Sequence, residues 1–386
     1  MALNELPISL DDTYERALQG IPEEKRQHAH RLFQCLVAAI RPLQAEELAE
    51  IFAINFDQGA TCNFKEGWRP DSPEEAVLST CSTLISIIND GGSRIVQFSH
   101  FSVKEFLTSD RLRTSKVESI CDYHIALDTA HTLLTRACLA VLLQLDEKVD
   151  ESRLDTFPLV PYAACYWVEH AKYEVAMRVQ GPMEELFSPQ KHHFAAWISI
   201  HDVARGKLFS YFDSTPQLPP PGAAELFYAA LCGLTGVADY LIVICAQDIN
   251  ARYHLLTPLH VASAHGHDDV VHLLLQHNAE VNVRCTSGGR WTPLLSASRF
   301  GHANAVQLLL EHGADVTAQN VHHCTSLWFA SYGGHVEVVG LLLEHGADIH
   351  TRGPFNKTLY QRAMESGHVE VAQFLLEQGA ERDKDD

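Results

Sequence analysis

Histidine and cysteine supply most of the side chains in this chain that could do chemistry. The 386 residues include 23 histidines and 10 cysteines. Imidazoles and thiolates are zinc ligands, and a thiol beside an imidazole can act as a nucleophile. The closest grouping is His322-His323-Cys324. Adjacent residues rarely ligate one ion together, and a structural zinc site needs a fourth ligand that is not evident here. We therefore predict no metal site.

Catalytic motifs are absent from the sequence. A P-loop, G-x-x-x-x-G-K-[ST], cradles phosphates, and a serine hydrolase presents its nucleophile in G-x-S-x-G. Neither pattern occurs, since Gly206-Lys207 lacks both the earlier glycine and the following hydroxyl. We therefore expect no enzyme activity, no cofactor and no small-molecule substrate. We also expect no buried cluster of reactive side chains in the first two hundred residues.

The charge of the chain restricts its partners. Asp and Glu number 49 against 29 Lys and Arg, a formal net charge of -20. Such a field repels phosphate backbones and anionic membranes, so we expect no nucleic-acid and no membrane partner. There is no apolar run long enough to span a bilayer and no signal peptide at the N-terminus, and the cysteines occur singly without a C-x-x-C motif. These features predict a soluble cytoplasmic protein.

The elements that position the C-terminal histidines follow from a repeat. The recurring threonines are Thr257, Thr292, Thr325 and Thr358, so they are 35, 33 and 33 residues apart. Each is followed nine residues later by a glycine. A period near 33 that begins T-P-L-H is typical of a turn followed by two antiparallel helices. The threonines are predicted N-caps, and the glycines suit the left-handed turn that ends a helix.

This pattern resembles the ankyrin-repeat family. Residues 224–250 fit the same frame without T-P-L-H, which predicts about five repeats with a degenerate first one. Short helix pairs cannot bury their apolar faces alone, so the repeats must stack. From the resemblance we expect five histidines to hydrogen-bond loops to helices. They are His260, His267, His302, His335 and His368.

The resemblance also implies that a protein partner binds the concave face, on the fingertips of the turns and the exposed positions of the first helices. The candidate contact residues are Tyr253, His254, His265, Arg290, Trp291, Arg299, Phe300, His322, His323, Tyr332 and Phe355. Aromatic residues beside arginine are typical of interface hot spots. Trp291, Phe300 and Tyr332 could equally pack between adjacent repeats, and the sequence leaves that choice open.

The first part of the chain reads as three helices followed by a β-hairpin, which is the order of a winged helix. Asp90-Gly91 is the hairpin signal, and Ser102 with Glu105 predicts a capping box at the next helix. Residues 98–107 and 36–51 resemble the winged-helix segment that follows the NACHT domain in fungal NLR-like (STAND) proteins, a segment labelled after GPI inositol-deacylase. Glu46, Glu47 and Glu50 lie on the third helix, where their charge should repel DNA.

Together these patterns predict a mainly α fold with a winged-helix-like domain over 1–112, a helical domain over 113–212, a Pro-rich spacer over 213–222 and ankyrin repeats over 223–386. The predicted function is a non-catalytic interaction module, an ankyrin sensor or scaffold on the regulatory stalk of an NLR-like protein. The alternative is a fragment of a STAND-type NACHT ATPase or receptor whose nucleotide-binding domain is encoded upstream. A third possibility is an adaptor that docks onto full-length paralogues.

Overall fold

Two compact units, residues 1–203 and 204–386, make up the computed structural model of this chain. The structure describes residues 10–56, 63–115, 117–145, 154, 156–173, 179–201, 224–253, 255–285 and 289–381. The predicted Pro-rich spacer and the candidate residue His254 lie outside the described residues. Helices dominate both units, so the prediction of a mainly α fold is confirmed.

The N-terminal unit begins as a winged helix. Its helices are α1 (Leu10–Gln19), α2 (Glu23–Ala38), α3 (Ala45–Ala49), α4 (Pro73–Cys81), α5 (Phe101–Leu107), α6 (Asp110–Arg113) and α7 (Glu118–Cys121). Its strands are β1 (Leu43–Gln44), β2 (Ile54–Asn55), β3 (Asn63–Phe64), β4 (Ile85–Asp90) and β5 (Ser93–Phe98), and two 3-10 turns span Glu50–Ala53 and Glu66–Trp68.

The sheet of this domain is antiparallel, in the order β1-β5-β4, with β2 and β3 forming a separate pair. Asp90 pairs with Ser93, so the two turn residues of the hairpin are Gly91 and Gly92, one position later than the sequence signal. Both have positive φ, at 57° and 96°, which glycine adopts without a steric penalty.

The capping box predicted at α5 is wrong. The helix starts at Phe101, and the N-cap is His100, whose Nδ1 accepts a hydrogen bond from the backbone N–H of Ser102 at 3.3 Å. The Ser102 hydroxyl lies 2.6 Å from Nδ1 of His100 and 2.7 Å from the hydroxyl of Tyr14 on α1. A local and a long-range contact therefore share the side chain that local sequence assigned to a capping box.

The helices that follow in the same unit are α8 (Leu127–Leu142), α9 (Val160–Ala171), α10 (Gln180–Leu186) and α11 (His193–Ile200). Aromatic side chains fill the space between the last three. The rings of Trp167 and Trp197 are 5.3 Å apart and edge-on, and Phe187 contacts both. The indole N–H of Trp197 donates to the carbonyl of Ala164 at 2.9 Å. These aromatics form a core.

The C-terminal unit is a stack of five helix pairs, repeats 1 to 5. The first helices are α12 (Glu225–Cys232), α14 (Pro258–His265), α16 (Pro293–Phe300), α18 (Ser326–Gly333) and α20 (Leu359–Glu365). The second helices are α13 (Thr235–Val243), α15 (Asp268–Gln276), α17 (Ala303–Glu311), α19 (Val336–Glu344) and α21 (Val369–Glu377). First helices pack on first helices of neighbouring repeats, and second on second. We call the segments between a second helix and the next first helix the fingers.

Local sequence fixes the ends of these helices. Thr257, Thr292, Thr325 and Thr358 are N-caps, as predicted. Gly233, Gly266, Gly301 and Gly334 end the first helices in the left-handed conformation, with φ between 66° and 78°. Asn278 takes the place of glycine after α15 at φ 63°. The degenerate repeat 1 forms the same helix pair as the others.

Candidate protein-binding surface

Histidines that precede α15, α17 and α19 tie successive repeats together. Nε2 of His267, His302 and His335 lies 3.1 Å from the carbonyl oxygens of Leu231, Ala264 and Arg299 of the preceding repeat. A neutral ring with its proton on Nε2 donates this hydrogen bond. The ring also lies against the glycine that ends the preceding first helix: a Cβ built on Gly233 would come within 2.7 Å of His267 Nδ1. These histidines are structural, as we predicted.

His260 has a different structural role, inside repeat 2. Its Nδ1 accepts from the backbone N–H of Thr257 at 3.2 Å, and its Nε2 lies 3.1 Å from the carbonyl oxygen of Trp291. Burial lowers the pKa of His260 to about 4, so the ring is neutral at physiological pH. The imidazole thereby joins a helix start to the finger of the next repeat.

Each finger turns through a strained residue two positions before the threonine. These residues are Leu255, Arg290, His323 and Asn356, with φ of 71°, 51°, 60° and 57°. A left-handed backbone costs a non-glycine residue about 1–2 kcal/mol. The geometry recurs in repeats 2 to 5, so it belongs to the finger itself. It sets the direction in which the fingertip side chains project.

An aromatic cluster of the repeats centres on Phe329 of α18. Phe329 packs against Trp291, with ring centroids 4.6 Å apart. The guanidinium carbon of Arg299 lies 5.4 Å from the Trp291 ring centroid and 5.8 Å from that of Phe329. Phe300 extends the cluster, because Arg299 also lies 5.8 Å from its ring centroid. Cation–π contacts of this kind hold an arginine in place at a surface.

A second arginine caps the other end of α18. The guanidinium carbon of Arg362 lies 4.0 Å from the ring centroid of Tyr332 and 5.8 Å from that of Trp328. Tyr332 remains 41% exposed. Trp328 is buried beneath the finger of repeat 5, where a Cβ on Gly353 would meet its ring at 2.5 Å. Repeat 4 thus places the buried Phe329 and the exposed Tyr332 three residues apart on one helix face, each against a guanidinium.

A groove of ≈ 500 Å³ lies between the fingers of repeats 3 and 4. Its lining includes Arg284, Arg290 and His323, with Asp315 as its one carboxylate. That carboxylate is already engaged, because Oδ1 accepts from the backbone N–H of Thr317 at 2.9 Å and from the Thr317 hydroxyl at 2.6 Å. The groove is therefore a place where an anionic group would meet cations.

Among the predicted contact residues that the structure describes, one is buried and the others are half-buried or exposed. Tyr253 is only 4% exposed, because its ring packs on Phe227 and Tyr228 at 4.9 and 5.7 Å, so its placement at an exposed fingertip was wrong. Trp291, Arg299 and Phe300 are half-buried in the α18 cluster, and His265 is half-buried with Nδ1 3.0 Å from the Val261 carbonyl oxygen. The exposed candidates are Arg290, His322, His323, Tyr332 and Phe355, the last 93% exposed.

Sequence reasoning missed Phe329 and Arg362, which complete the cluster. Both lie four residues after their repeat's threonine, and Arg299 and Tyr332 lie seven residues after theirs. Positions three apart lie on one face of a helix. This spacing, counted from each threonine, would have identified both residues. Our candidates came instead from the fingertips and from the exposed positions of the first helices.

The N-terminal unit does hold a buried polar cluster, contrary to our expectation. Nδ1 of His131 and Nδ1 of His170 are 2.8 Å apart, and Nε2 of His170 lies 2.8 Å from the Tyr162 hydroxyl. The backbone N–H of Ile40 donates to that hydroxyl at 3.1 Å. His170 is fully buried, and burial lowers its pKa to about 4. The cluster joins α2, α8 and α9, and His170 is closed to any substrate.

Two buried carboxylates of the winged helix are also structural. Glu47 and Glu50 are both 3% exposed. Arg41 donates to both oxygens of Glu47 at 2.8 and 2.5 Å, and Arg69 donates to both oxygens of Glu50 at 2.6 and 3.0 Å. Their charges therefore do not face solvent, and our argument that they would repel DNA was wrong. Helix α3 is itself packed against α4, β1 and β5.

A thiol and an imidazole also meet in this unit. Cys165 Sγ lies 3.4 Å from Nδ1 of His201. Burial raises the pKa of the Cys165 thiol, so the pair holds a thiol and not the thiolate that a nucleophile requires. Among the described residues there is no group of three or more His, Cys, Asp or Glu side chains placed to hold a metal ion. Within the same ranges, no helix combines the length and apolar character needed to cross a membrane.

Comparison with known families agrees with this geometry. Residues 226–320 and 319–386 match ankyrin repeats, and residues 14–119 match the winged helix domain of GPI inositol-deacylase. The chain is a winged-helix and ankyrin-repeat protein. The ankyrin match begins at residue 226, inside repeat 1, which supports counting that degenerate helix pair as a repeat. Ankyrin repeats support a role in protein–protein interaction.

The chain is similar to the azaphilone pigments biosynthesis cluster protein L of Monascus ruber. The two are 31% identical over 296 residues, which cover 72% of this chain and 61% of that protein. The chain therefore spans less than two thirds of the length of the relative it matches.

Proposed function

We propose that this ankyrin protein is a non-catalytic interaction module that binds a protein partner on its fingers and first helices. The α18 cluster carries the proposal. Tyr332 is exposed beside Arg362, and Trp291 and Phe329 hold Arg299 at the same surface. Aromatic and arginine side chains packed in this way are what interface hot spots are made of. Exposed Phe355 adds an apolar side chain on the finger of repeat 5.

The proposed role of the N-terminal unit is that of a stalk in an NLR-like protein. The support is the match of residues 14–119 to the GPI inositol-deacylase winged helix, together with the ankyrin repeats that follow it. The paired buried charges Arg41–Glu47 and Arg69–Glu50 suit a rigid support. We place the module in the cytoplasm, because the ten cysteines lack disulfide-type spacing; a fluorescent fusion expressed in the native host tests this.

A paired capture experiment tests the interaction surface. The full chain and its Tyr332→Ala/Phe355→Ala variant are immobilised and exposed to a lysate of the host, and bound proteins are quantified by mass spectrometry. A Glu311→Ala/Glu344→Ala variant on the second helices is the control. We expect a defined protein to be retained by the wild type and the control and reduced at least about tenfold on the double aromatic variant. Equal retention on all three would remove this surface from consideration.

The second proposal is that these residues belong to a STAND-type NACHT ATPase or receptor whose nucleotide-binding domain is encoded upstream. It is supported by the winged-helix match and by the greater length of the relative. The sequence itself contains no P-loop. Reading the transcript upstream of the Met1 codon for an in-frame P-loop separates the two proposals. ATP hydrolysis by the purified chain would contradict both the non-catalytic role and this assignment of the nucleotide site.

A further inference from the structure

The repeats segregate charge between their two faces. The five second helices carry eight carboxylates and no lysine or arginine: Asp239, Asp268, Asp269, Glu311, Glu337, Glu344, Glu370 and Glu377. All the lysines and arginines among the described residues 224–381 lie on fingers or first helices: Arg252, Arg284, Arg290, Arg299, Arg352, Lys357 and Arg362. Six carboxylates lie on the fingers and first helices beside these seven bases, so that side is nearly neutral, whereas the second-helix side with its eight carboxylates is acidic.

Most of the carboxylates on the fingers and first helices make local hydrogen bonds or ion pairs, and those bonded to a neutral N–H keep their charge. Asp248 and Asp348 each accept from a backbone N–H two residues on, at 2.9 Å, as Asp315 does. Glu365 lies 2.5 Å from Nζ of Lys357 and 3.9 Å from the Arg362 guanidinium. Arg284 and Arg290, by contrast, are exposed and line the groove between fingers 3 and 4.

Two exposed side chains on this side of the repeats offer apolar contact area. Tyr332 is exposed on α18, and Val321, at the groove, is also exposed on the finger of repeat 4. A ligand that fits this surface carries carboxylates for the groove and an apolar side chain for the tyrosine. We define the finger surface as Arg284, Arg290, Arg299, His323, Tyr332 and Arg362.

We propose that the finger surface binds an acidic peptide segment of the partner protein, in which carboxylates alternate with apolar side chains. The inference rests on the proposed interaction function and names the chemistry of its partner. Carboxylates accept charge-assisted, two-pronged hydrogen bonds from the guanidinium groups of Arg284 and Arg290, while an apolar side chain packs on Tyr332. The acidic second helices repel the same segment, which directs it to the finger surface.

A nucleic acid fits this charge distribution poorly. A phosphate backbone carries a long, uniform negative charge and needs many basic contacts along its path. Carboxylates lie among the bases of the fingers and first helices, and eight more lie on the second helices, so an extended polyanion meets them as well. A short peptide with a few carboxylates engages the groove alone. Single-stranded RNA is therefore a competitor to be tested.

The test is selection of a random phage-displayed dodecapeptide library on the immobilised full chain. We expect the selected peptides to be enriched in Asp and Glu interspersed with aromatic or aliphatic residues. Synthetic copies should bind about tenfold more weakly to Arg284→Gln/Arg290→Gln, and their affinity should fall as salt rises. Both arginine side chains are exposed, so the variant should fold. The control, Glu311→Gln/Glu344→Gln, removes charges from the second helices and should bind as well as the wild type.

The possible results separate the two proposals. Selected peptides without acidic enrichment that still depend on Tyr332 overturn the acidic-partner inference and leave the interaction function in place. Failure to select any peptide also overturns the inference, whereas the interaction function is judged by the capture experiment. Polyuridine RNA is the competitor. If it binds as tightly as the acidic peptides and its binding is lost in the Arg284→Gln/Arg290→Gln variant, the surface is a general polyanion site, and the peptide assignment is overturned.

Discussion

The two units of this protein place their carboxylates and arginines differently, although each buries a hydrogen-bonded histidine, His170 or His260. In the N-terminal unit, Glu47, Glu50 and His170 are buried and hydrogen-bonded to groups from other elements. In the repeat unit, most arginines lie on the fingers, and Arg299 and Arg362 rest on aromatic rings at the surface. Buried pairs specify one arrangement of helices, whereas surface cations on aromatic rings remain available to a ligand.

This contrast indicates where function should be sought. A mutation in the polar clusters of the N-terminal unit removes partners from buried charges, so its effect is on stability. A mutation of the finger surface removes exposed groups, so its effect is on binding. The free energy of unfolding should therefore respond most to substitutions at buried charges and least to substitutions at exposed fingers.

Removal of Arg69 should give the largest loss. Arg69→Met leaves the Glu50 carboxylate buried without its two-pronged partner, and breaking such a pair costs about 3–5 kcal/mol. The substitution also removes the contacts of the Arg69 guanidinium with Phe64 and Phe157. Urea unfolding followed by circular dichroism measures it. The double variant Glu50→Gln/Arg69→Met is the control and should recover part of the loss. A loss below about 1 kcal/mol for Arg69→Met would contradict the structural role of the pair.

Acid should destabilise both units through one buried histidine in each. The pKa of His170 and of His260 is lowered from 6.5 to about 4 by burial. Between those values the unfolded chain binds more protons than the folded one, so stability is complete above pH 6.5 and falls toward pH 4. Each histidine should contribute about 2 kcal/mol of loss between pH 7.5 and pH 5.

Unfolding of His170→Gln and His260→Gln at both pH values checks this expectation. Each variant should show a smaller difference in stability between the two pH values than the wild type, whatever its stability at pH 7.5. The difference should shrink in the N-terminal transition for His170 and in the repeat transition for His260. A pH dependence that is unchanged in both variants would show that other groups carry the acid sensitivity.

A matched pair of glycines isolates the histidine that links repeats. Gly301 and Gly367 have nearly equal φ, 78° and 81°, so alanine at either should cost about 1 kcal/mol for the left-handed backbone. A Cβ on Gly301 would also overlap the His335 ring, which bonds the Arg299 carbonyl, whereas a Cβ on Gly367 meets nothing within 4 Å. We expect Gly301→Ala to lose about 1 kcal/mol more in thermal unfolding. Equal losses would mean that the ring adjusts freely.

The smallest expected effect is an increase in the free energy of unfolding. Leu255 holds a left-handed φ of 71°, and its side chain is exposed. Leu255→Gly should stabilise the repeats by up to about 1 kcal/mol, because glycine adopts this conformation without steric cost but loses more entropy on folding. Leu255→Ala keeps the strain and serves as the control. A loss of stability in the glycine variant alone would show that the finger is not strained.

The repeat architecture could be predicted almost completely from residue types. Thr358 caps its helix because a hydroxyl placed before a first turn has few other partners, and Gly334 ends one because only glycine enters the left-handed region freely. The hydrogen bonds of the repeat histidines were expected from the resemblance to ankyrin repeats. The contact surface could be predicted only in part: Arg290, His323 and Tyr332 are exposed, while Tyr253 turned inward onto Phe227, a contact that no spacing rule contains.

The sequence alone determined the period, the helix ends, the glycine turns and the order of winged helix before repeats, because each depends on neighbours within a few residues. The tertiary structure decided which charges are buried and which rings receive a guanidinium. Glu50 meets Arg69 across 19 residues, and Arg362 reaches Tyr332 from the next repeat. Such pairs form only when separate helices are packed together, because the free energy of burying a charge depends on which partner the fold brings within hydrogen-bonding distance.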